Sequence, residues 1–259
     1  MSTGIGAGIA GQVFNSKPGA GITLFSNLFS IYFNGTDESL RSSTLKGPDF
    51  GTNNFSFSFW LKPDTDTTGN ERLMHKVGGT HSWQIYINNN QKILWYGGGS
   101  ADSWNDECSV ALTLDVWQHI TYAVDRSGFA TYYFNGVFAD SKDVSGAPAS
   151  FDAGSNFFVG RNGGGQYKYN GFMDELCFFD KCLSASEVTE LYNATGNKSL
   201  NSISCASNLT HWFRMGDPIG PVIAPVIPNS SGSPNSNTFN LDFFENMDGT
   251  NVRTDAPTV

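Results

Sequence analysis

The chain has 259 residues, of which 15% are charged and 14% aromatic, against about 25% charged in an ordinary soluble domain. Few charges and many aromatics exclude disorder and coiled coil. A formal net charge of -9, from 15 Lys plus Arg against 24 Asp plus Glu, excludes nucleic-acid binding as the main task, because phosphate recognition needs a basic face.

Residues 1–21 are rich in glycine, which leaves few side chains to pack, and read as an arm that orders on a partner surface. They have no basic start and no continuous apolar core, so they do not read as a secretory signal, and no apolar run in the chain is long enough to span a membrane. A β domain is expected over 22–200. Leu28–Asn34 runs as a strand into the turn Asn34-Gly35. Phe55–Pro63 alternates strictly, with Phe55, Phe57, Phe59 and Leu61 on one face and Ser56, Ser58 and Trp60 on the other, which predicts a half-buried strand. Trp83–Ile87 and Lys92–Tyr96 flank the turn Asn88–Asn90. Ser109–Leu114 reads as a strand, and Gln118–Asp125 as another with Ile120, Tyr122 and Val124 on one face. Phe129–Phe134 and Val137–Asp140 flank Asn135-Gly136, a strong hairpin signal. Phe157–Gly160 and Gly171–Phe179 close the series. Ser184 through Glu187 form a capping box before one short helix, with Val188, Leu191 and Tyr192 on its apolar side. Many short strands with frequent turns predict an all-β fold, an antiparallel β-sandwich with one short helix. Five of the ten prolines fall between Pro218 and Pro234, so 201–259 reads as an extension with strand-like pieces at His211–Met215 and Phe239–Phe244.

Three segments together resemble the laminin-G-like, concanavalin A-like jelly roll: Ile31–Leu40, Phe55–Pro63, and Trp117–Asp125 followed by Tyr132–Gly136 and Gly171–Tyr192. The resemblance spans about residues 22–195 and implies that fold. It does not decide function, because the fold hosts lectins, glycosidases, receptors and shell proteins. His211–Asp217 (HWFRMGD) and Thr254–Pro257 (TDAP) are similar to the C-terminal parts of jelly-roll structural proteins of tailed, often marine, bacteriophages. That resemblance implies a virion protein, either a capsid decoration or a fibre component. Its partners would be other virion proteins and further copies of itself; the alternative reading, a carbohydrate-binding adhesin or receptor-binding protein, would take a host surface glycan.

No catalytic set is expected. Glucanases of this fold resemble one another in a Glu-X-Asp-X-X-Glu strand with both carboxylates on one face, and the chain has none. Asp174 and Glu175 are adjacent, so regular strand geometry would point them to opposite faces. The resemblance implies a structural calcium beside the opening turn, with Asn34, Asp37 and Asp174 as oxygen donors; no other cofactor is expected. Trp95, Tyr96 and Trp104 surround a Gly-rich loop with Asp102 and Asn105 nearby. They read either as a carbohydrate site or as core residues of a strand and its loop. Tyr167 and Tyr169, after Gly163–Gly165, carry the same two readings. Cys108, Cys177, Cys182 and Cys205 fit no zinc spacing and read as reduced thiols, with a Cys182–Cys205 disulfide as the alternative.

Overall fold

Phe55–Pro63 forms a strand in the interior of one sheet, with neighbours on both sides. The computed structural model describes residues 27–42, 46–64, 69–78, 81–99, 103–146, 150–152, 154–194, 199–217, 226–227, 231, 240–245 and 247–257. The Gly-rich arm and most of the Pro-rich stretch lie outside them. The strands are β1 (Ser30–Asn34), β2 (Glu38–Ser42), β3 (Phe55–Pro63), β4 (Glu71–Gly78), β5 (His81–Ile87), β6 (Lys92–Gly98), β7 (Trp104–Ala111), β8 (Gln118–Val124), β9 (Phe129–Phe134) and β10 (Val137–Asp143). After them come β11 (Phe157–Val159), β12 (Asn170–Phe179), helix α1 (Ala185–Ala194), β13 (Leu209–Phe213), β14 (Val226–Ile227), β15 (Leu241–Glu245) and β16 (Val252–Arg253).

Two eight-stranded antiparallel sheets result. The first runs β10-β9-β8-β3-β12-β1-β16, with β13 also pairing with β12; the second runs β14-β15-β2-β11-β4-β5-β6-β7. Strands from beyond residue 200 therefore complete both sheets. Phe55, Phe57, Phe59 and Leu61 face inward, as the alternation requires. Trp95 stacks on Trp83 (5.7 Å between centroids), Phe57 (5.9 Å) and Tyr122 (5.7 Å). Each buried aromatic of this kind contributes about 1.5–3 kcal/mol.

The outer face of β3 is not half-exposed as predicted. Helix α1 and the segments around it cover it and enclose a second apolar layer with Cys177, Phe179, Leu183, Val188, Leu191 and Trp212. Trp60 packs at a tilt against His119 (5.2 Å) and stacks on Tyr192 of α1 (5.6 Å). Ser56 Oγ donates to Lys181 O (2.7 Å) and accepts from Leu183 N (2.9 Å). The capping box forms as read: Ser184 N donates to Glu187 Oε2 (2.9 Å) and Glu187 N donates to Ser184 Oγ (3.4 Å). Asn135 and Gly136 both take positive φ (50° and 77°), the geometry of a tight hairpin turn.

Two departures have local causes. β7 begins at Trp104 rather than Ser109, because Trp104 pairs with Gly97 of β6. Its inward positions include Asp106, whose carboxylate accepts from Tyr122 Oη (3.0 Å). In β12 the register against β3 slips between Asp174 and Cys177, and Glu175 takes φ 48°. This bulge is also where the neighbour of β12 changes from β1 to β13.

Candidate functional site

At one end of the sandwich the β1–β2 turn, the segment leading into β4 and the loop leading into β12 enclose a cleft of about 340 Å3. The turn is built by Asn34, whose Oδ1 accepts from Thr36 N (2.8 Å) and Asp37 N (3.1 Å). Gly35 sits at φ +69°, and a Cβ there would lie 2.9 Å from Asn170 Cβ, so only glycine allows the turn to approach β12 this closely.

Tyr167 is the exposed aromatic of the cleft, at 51% exposure, whereas Tyr169 is fully buried. Its backbone lies in the left-handed region (φ 54°), which a residue with a Cβ avoids unless it is held there. Arg72 holds it: Arg72 N donates to Tyr167 O (2.8 Å), and the guanidinium lies 4.8 Å from the Tyr167 ring centroid. Beside the ring stand the amides of Asn70 and Asn170. Asn170 Oδ1 accepts from Tyr32 Oη (3.3 Å), while Asn170 Nδ2 and the Asn70 side chain make no hydrogen bond among the described residues. Glu71 Oε2 accepts from Asn170 N (3.2 Å), and Lys168 completes the rim. A rigid half-open ring beside amide, carboxylate and ammonium groups can stack a sugar ring and bond its hydroxyls.

Arg72 ties the cleft's Tyr167 to the outer face of the second sheet. Arg72 Nε donates to Gln84 Oε1 (2.8 Å). His75, Gln84, Tyr96 and Asn105 are register neighbours across β4, β5, β6 and β7, a row about 14 Å long at ordinary strand spacing. His75 Nδ1 accepts from Gly163 N (2.9 Å). Burial pushes the His75 imidazole down to about 4, helped by the positive charges of Arg72 and Arg161, so it is neutral at ordinary pH.

Of the residues named as a carbohydrate site, Trp95 is fully buried and Trp104 is 8% exposed. Both rings belong to the core, because β6 and β7 turn them inward against Phe151, and neither presents a face to a ligand. Gly97 is small for the same reason: a Cβ there would lie 2.7 Å from the Phe151 ring. Tyr96 and Asn105 do lie on the outer face, and Asp102 falls outside the described residues. Tyr167 was named only as an ambiguous loop aromatic, and its positive φ leaves no mark in the sequence.

The proposed calcium donors do not fit a cation. Asn34 spends its oxygen on the turn and its amide on Asp37 Oδ1 (2.8 Å). Ile31 pairs with Met173 and Asn34 with Asn170, so Asp174 lies about 13 Å further along β12. Among the described residues no group of three or more His, Cys, Asp or Glu could hold a metal ion. Asp174 and Glu175 also depart from the opposite-face expectation. The bulge turns Glu175 to the side of Asp174, where Trp212 Nε1 donates to Glu175 Oε2 and Asn27 Nδ2 donates to Asp174 Oδ2 (2.8 Å). Burial raises both carboxyls, Glu175 to about 7 and Asp174 well above its ordinary value, the latter aided by the charge of Glu175.

A larger cleft of about 470 Å3 opens at the opposite end, lined by Asp49, Asp152, Asp180 and His211. Its acids are used internally. Asp49 pairs with Lys76, Asp152 Oδ1 accepts from Gly51 N (2.8 Å), and Asp180 Oδ1 accepts from Asn208 Nδ2 (2.9 Å). Its aromatic residues Phe50, Phe55 and Phe179 are buried, leaving no ring to stack a ligand.

This two-sheet architecture belongs to a known class. Residues 34–189 match the model of the concanavalin A-like lectin/glucanases superfamily, and the chain is a member of that family, in its laminin-G-like branch. Among curated proteins it is 26% identical over 159 residues to adhesion G-protein coupled receptor V1 of Danio rerio, covering 58% of this chain and 2% of the receptor. It is 27% identical over 146 residues to botulinum neurotoxin type X of Clostridium botulinum, covering 55% of this chain and 11% of the toxin. The chain thus spans a small part of these relatives. Among solved structures, a Bacteroides ovatus protein described as a 'putative carbohydrate binding protein' superposes with a TM-score of 0.62 at 16% identity, covering 86% of this chain and 59% of that one.

Proposed function

We propose that the chain is a non-enzymatic glycan-binding module whose ligand enters the cleft at Tyr167. The observation that carries this reading is the Tyr167 ring, held in a strained backbone conformation and half open to solvent, in a cleft where the side-chain nitrogens of Asn70 and Asn170 make no hydrogen bond among the described residues. Strain of this kind persists where the surroundings impose it, and it clusters at binding sites. The description of the Bacteroides ovatus relative as carbohydrate binding supports the reading. A hydrolytic role is disfavoured because Asp174 and Glu175, the adjacent carboxylates, are buried beyond a substrate's reach. The test is a glycan array probed with the full chain and with Tyr167→Ala. Binding that falls in the variant while its melting curve is kept supports the reading, and an array without hits overturns it.

The setting proposed for this module is a virion, as a fibre or decoration component, on the strength of the tail motifs His211–Asp217 and Thr254–Pro257. Quantitative mass spectrometry of purified particles tests it. Near-stoichiometric copies support decoration, a few copies per particle support a fibre, and absence overturns the setting.

A further inference from the structure

We propose that the glycan is acidic, with a carboxylate or sulfate of one sugar seated on the Arg72 guanidinium and a neighbouring ring against Tyr167. The proposal rests on the glycan-binding reading and names the class of its ligand.

Arg72 lies between two tyrosine rings, 4.2 Å from the Tyr86 centroid and 4.8 Å from that of Tyr167. Its hydrogen-bond acceptors are Gln84 Oε1 (2.8 Å) and Asn70 O (3.0 Å), and both are neutral. Among the described residues no carboxylate pairs with it. A guanidinium carries five N–H donors in a rigid fork, so the two bonds leave donors unused. Arginine stays charged in proteins, so a partly buried cation has no counter-ion among the described residues of a chain whose net charge is -9.

The surroundings favour an anion from outside. Arg161, stacked on Phe158 at 4.6 Å, acts on His75 together with Arg72, and Lys168 lines the cleft. His75 is already satisfied by Gly163 N and, being neutral, does not compete. The row leading away from Arg72, formed by Gln84, Tyr96 and Asn105, is uncharged, as a surface for further sugar rings would be. The cleft of about 340 Å3, at the lower end of small-ligand sites, has Glu71 and Lys168 as its own charged residues, and Arg72 borders it through the Tyr167 ring. Planar bidentate bonding to a carboxylate or sulfate is the contact that arginine makes and a neutral hydroxyl cannot return.

The test is isothermal titration of the full chain with matched probes: oligogalacturonate against its methyl ester, and sulfated galactan oligomers against their desulfated forms. The acidic member of at least one pair is expected to bind about tenfold or more tightly, as a charged hydrogen bond would give. That advantage is expected to shrink at high salt and to vanish in Arg72→Gln. The pair that shows it tells carboxylate from sulfate. Equal binding within both pairs overturns the acidic class while leaving the glycan reading standing. No binding by any probe, together with an empty array, overturns both. An acidic preference that survives in folded Arg72→Gln overturns the assignment to Arg72. Should that variant fail to fold, the matched probes on the unaltered chain decide the class and Arg72→Lys, which keeps the charge but loses the fork, decides the residue: an undiminished preference there overturns the seat, a weakened one supports it.

Discussion

The guanidinium of Arg72 lies 4.8 Å from the ring of Tyr167, and the Arg72 amide donates to the Tyr167 carbonyl. One residue thus fixes both the backbone and the ring of the other. The left-handed conformation costs a residue with a Cβ about 1–2 kcal/mol, and asparagine tolerates it better. Losing the cation–ring contact costs about 0.5–1 kcal/mol at an exposed site. These terms offset, so Tyr167→Asn is expected to keep the melting temperature within a few degrees while abolishing glycan binding. A melt and a titration on the same sample check this, and a collapse in stability would mean that the ring is structural.

Trp95→Ala is expected to behave in the opposite way. The ring is fully buried among Trp83, Phe57 and Tyr122, and truncating such a residue costs about 3–5 kcal/mol. Denaturant unfolding should show that loss. Any fall in ligand binding by this variant would reflect unfolding.

Gly35→Ala tests the floor of the cleft. The new Cβ would lie 2.9 Å from Asn170 Cβ at a φ of +69°, so the turn must move. A destabilisation of about 1–2 kcal/mol is expected from the backbone alone, with weaker glycan binding because Asn170 is displaced. Unchanged stability and binding would show that the turn yields freely.

The buried acids set the pH profile. Glu175 titrates at about 7 in the folded chain, above its ordinary 4.5, chiefly because of burial. The folded state therefore keeps a proton that the unfolded chain releases, and stability falls as pH rises from about 4.5 through 7. Asp174, also raised, and Asp106, raised to about 6, act in the same direction. His75 and His119 act in the opposite direction. Burial holds them down at about 4 and about 3, so stability falls as pH drops below their ordinary 6.5. The two sets oppose one another between about 4.5 and 6.5. Unfolding measured across pH should show a gentle slope there and a steeper decline above about 6.5, which Asp174 carries on past 7; Glu175→Gln should remove the share lost between about 4.5 and 7. An unchanged slope in the variant would remove Glu175 from the account.

Calcium and chelator should leave the melting temperature unchanged, since Asn34 and Asp37 bond to each other and Asp174 lies well down β12. A calcium-dependent rise would show that these oxygens can be turned outward.

Local chemistry was the part legible in the sequence. The inward face of β3, the Asn135-Gly136 hairpin and the Ser184–Glu187 box each depend on residues within a few positions, and each formed as read, while the burial of β3's outer face came from the distant helix. Inward Asp106 hid the start of β7, because a carboxylate at a core position breaks the apolar alternation. The bulge at Glu175 was invisible for a related reason: an extra residue in a strand changes which face follows without changing composition. Alternation also cannot say which of a strand's two faces meets the other sheet, so Trp95 and Tyr96 were inseparable until the sheets were stacked. Tyr167 and Tyr169 follow the same glycine run, and what separates an exposed ring held by Arg72 from a fully buried one is set by long-range contacts.

The two apolar layers make the four thiols a depth gauge. The cysteines are all unbridged: Cys108 lies in the core between the sheets, Cys177 and Cys205 lie under the helix, and Cys182 sits at that layer's edge. If α1 peels away before the sheets part, a thiol reagent would reach Cys182 first, then Cys177 and Cys205, and Cys108 last. The order of labelling would then date the loss of each layer, without any added probe.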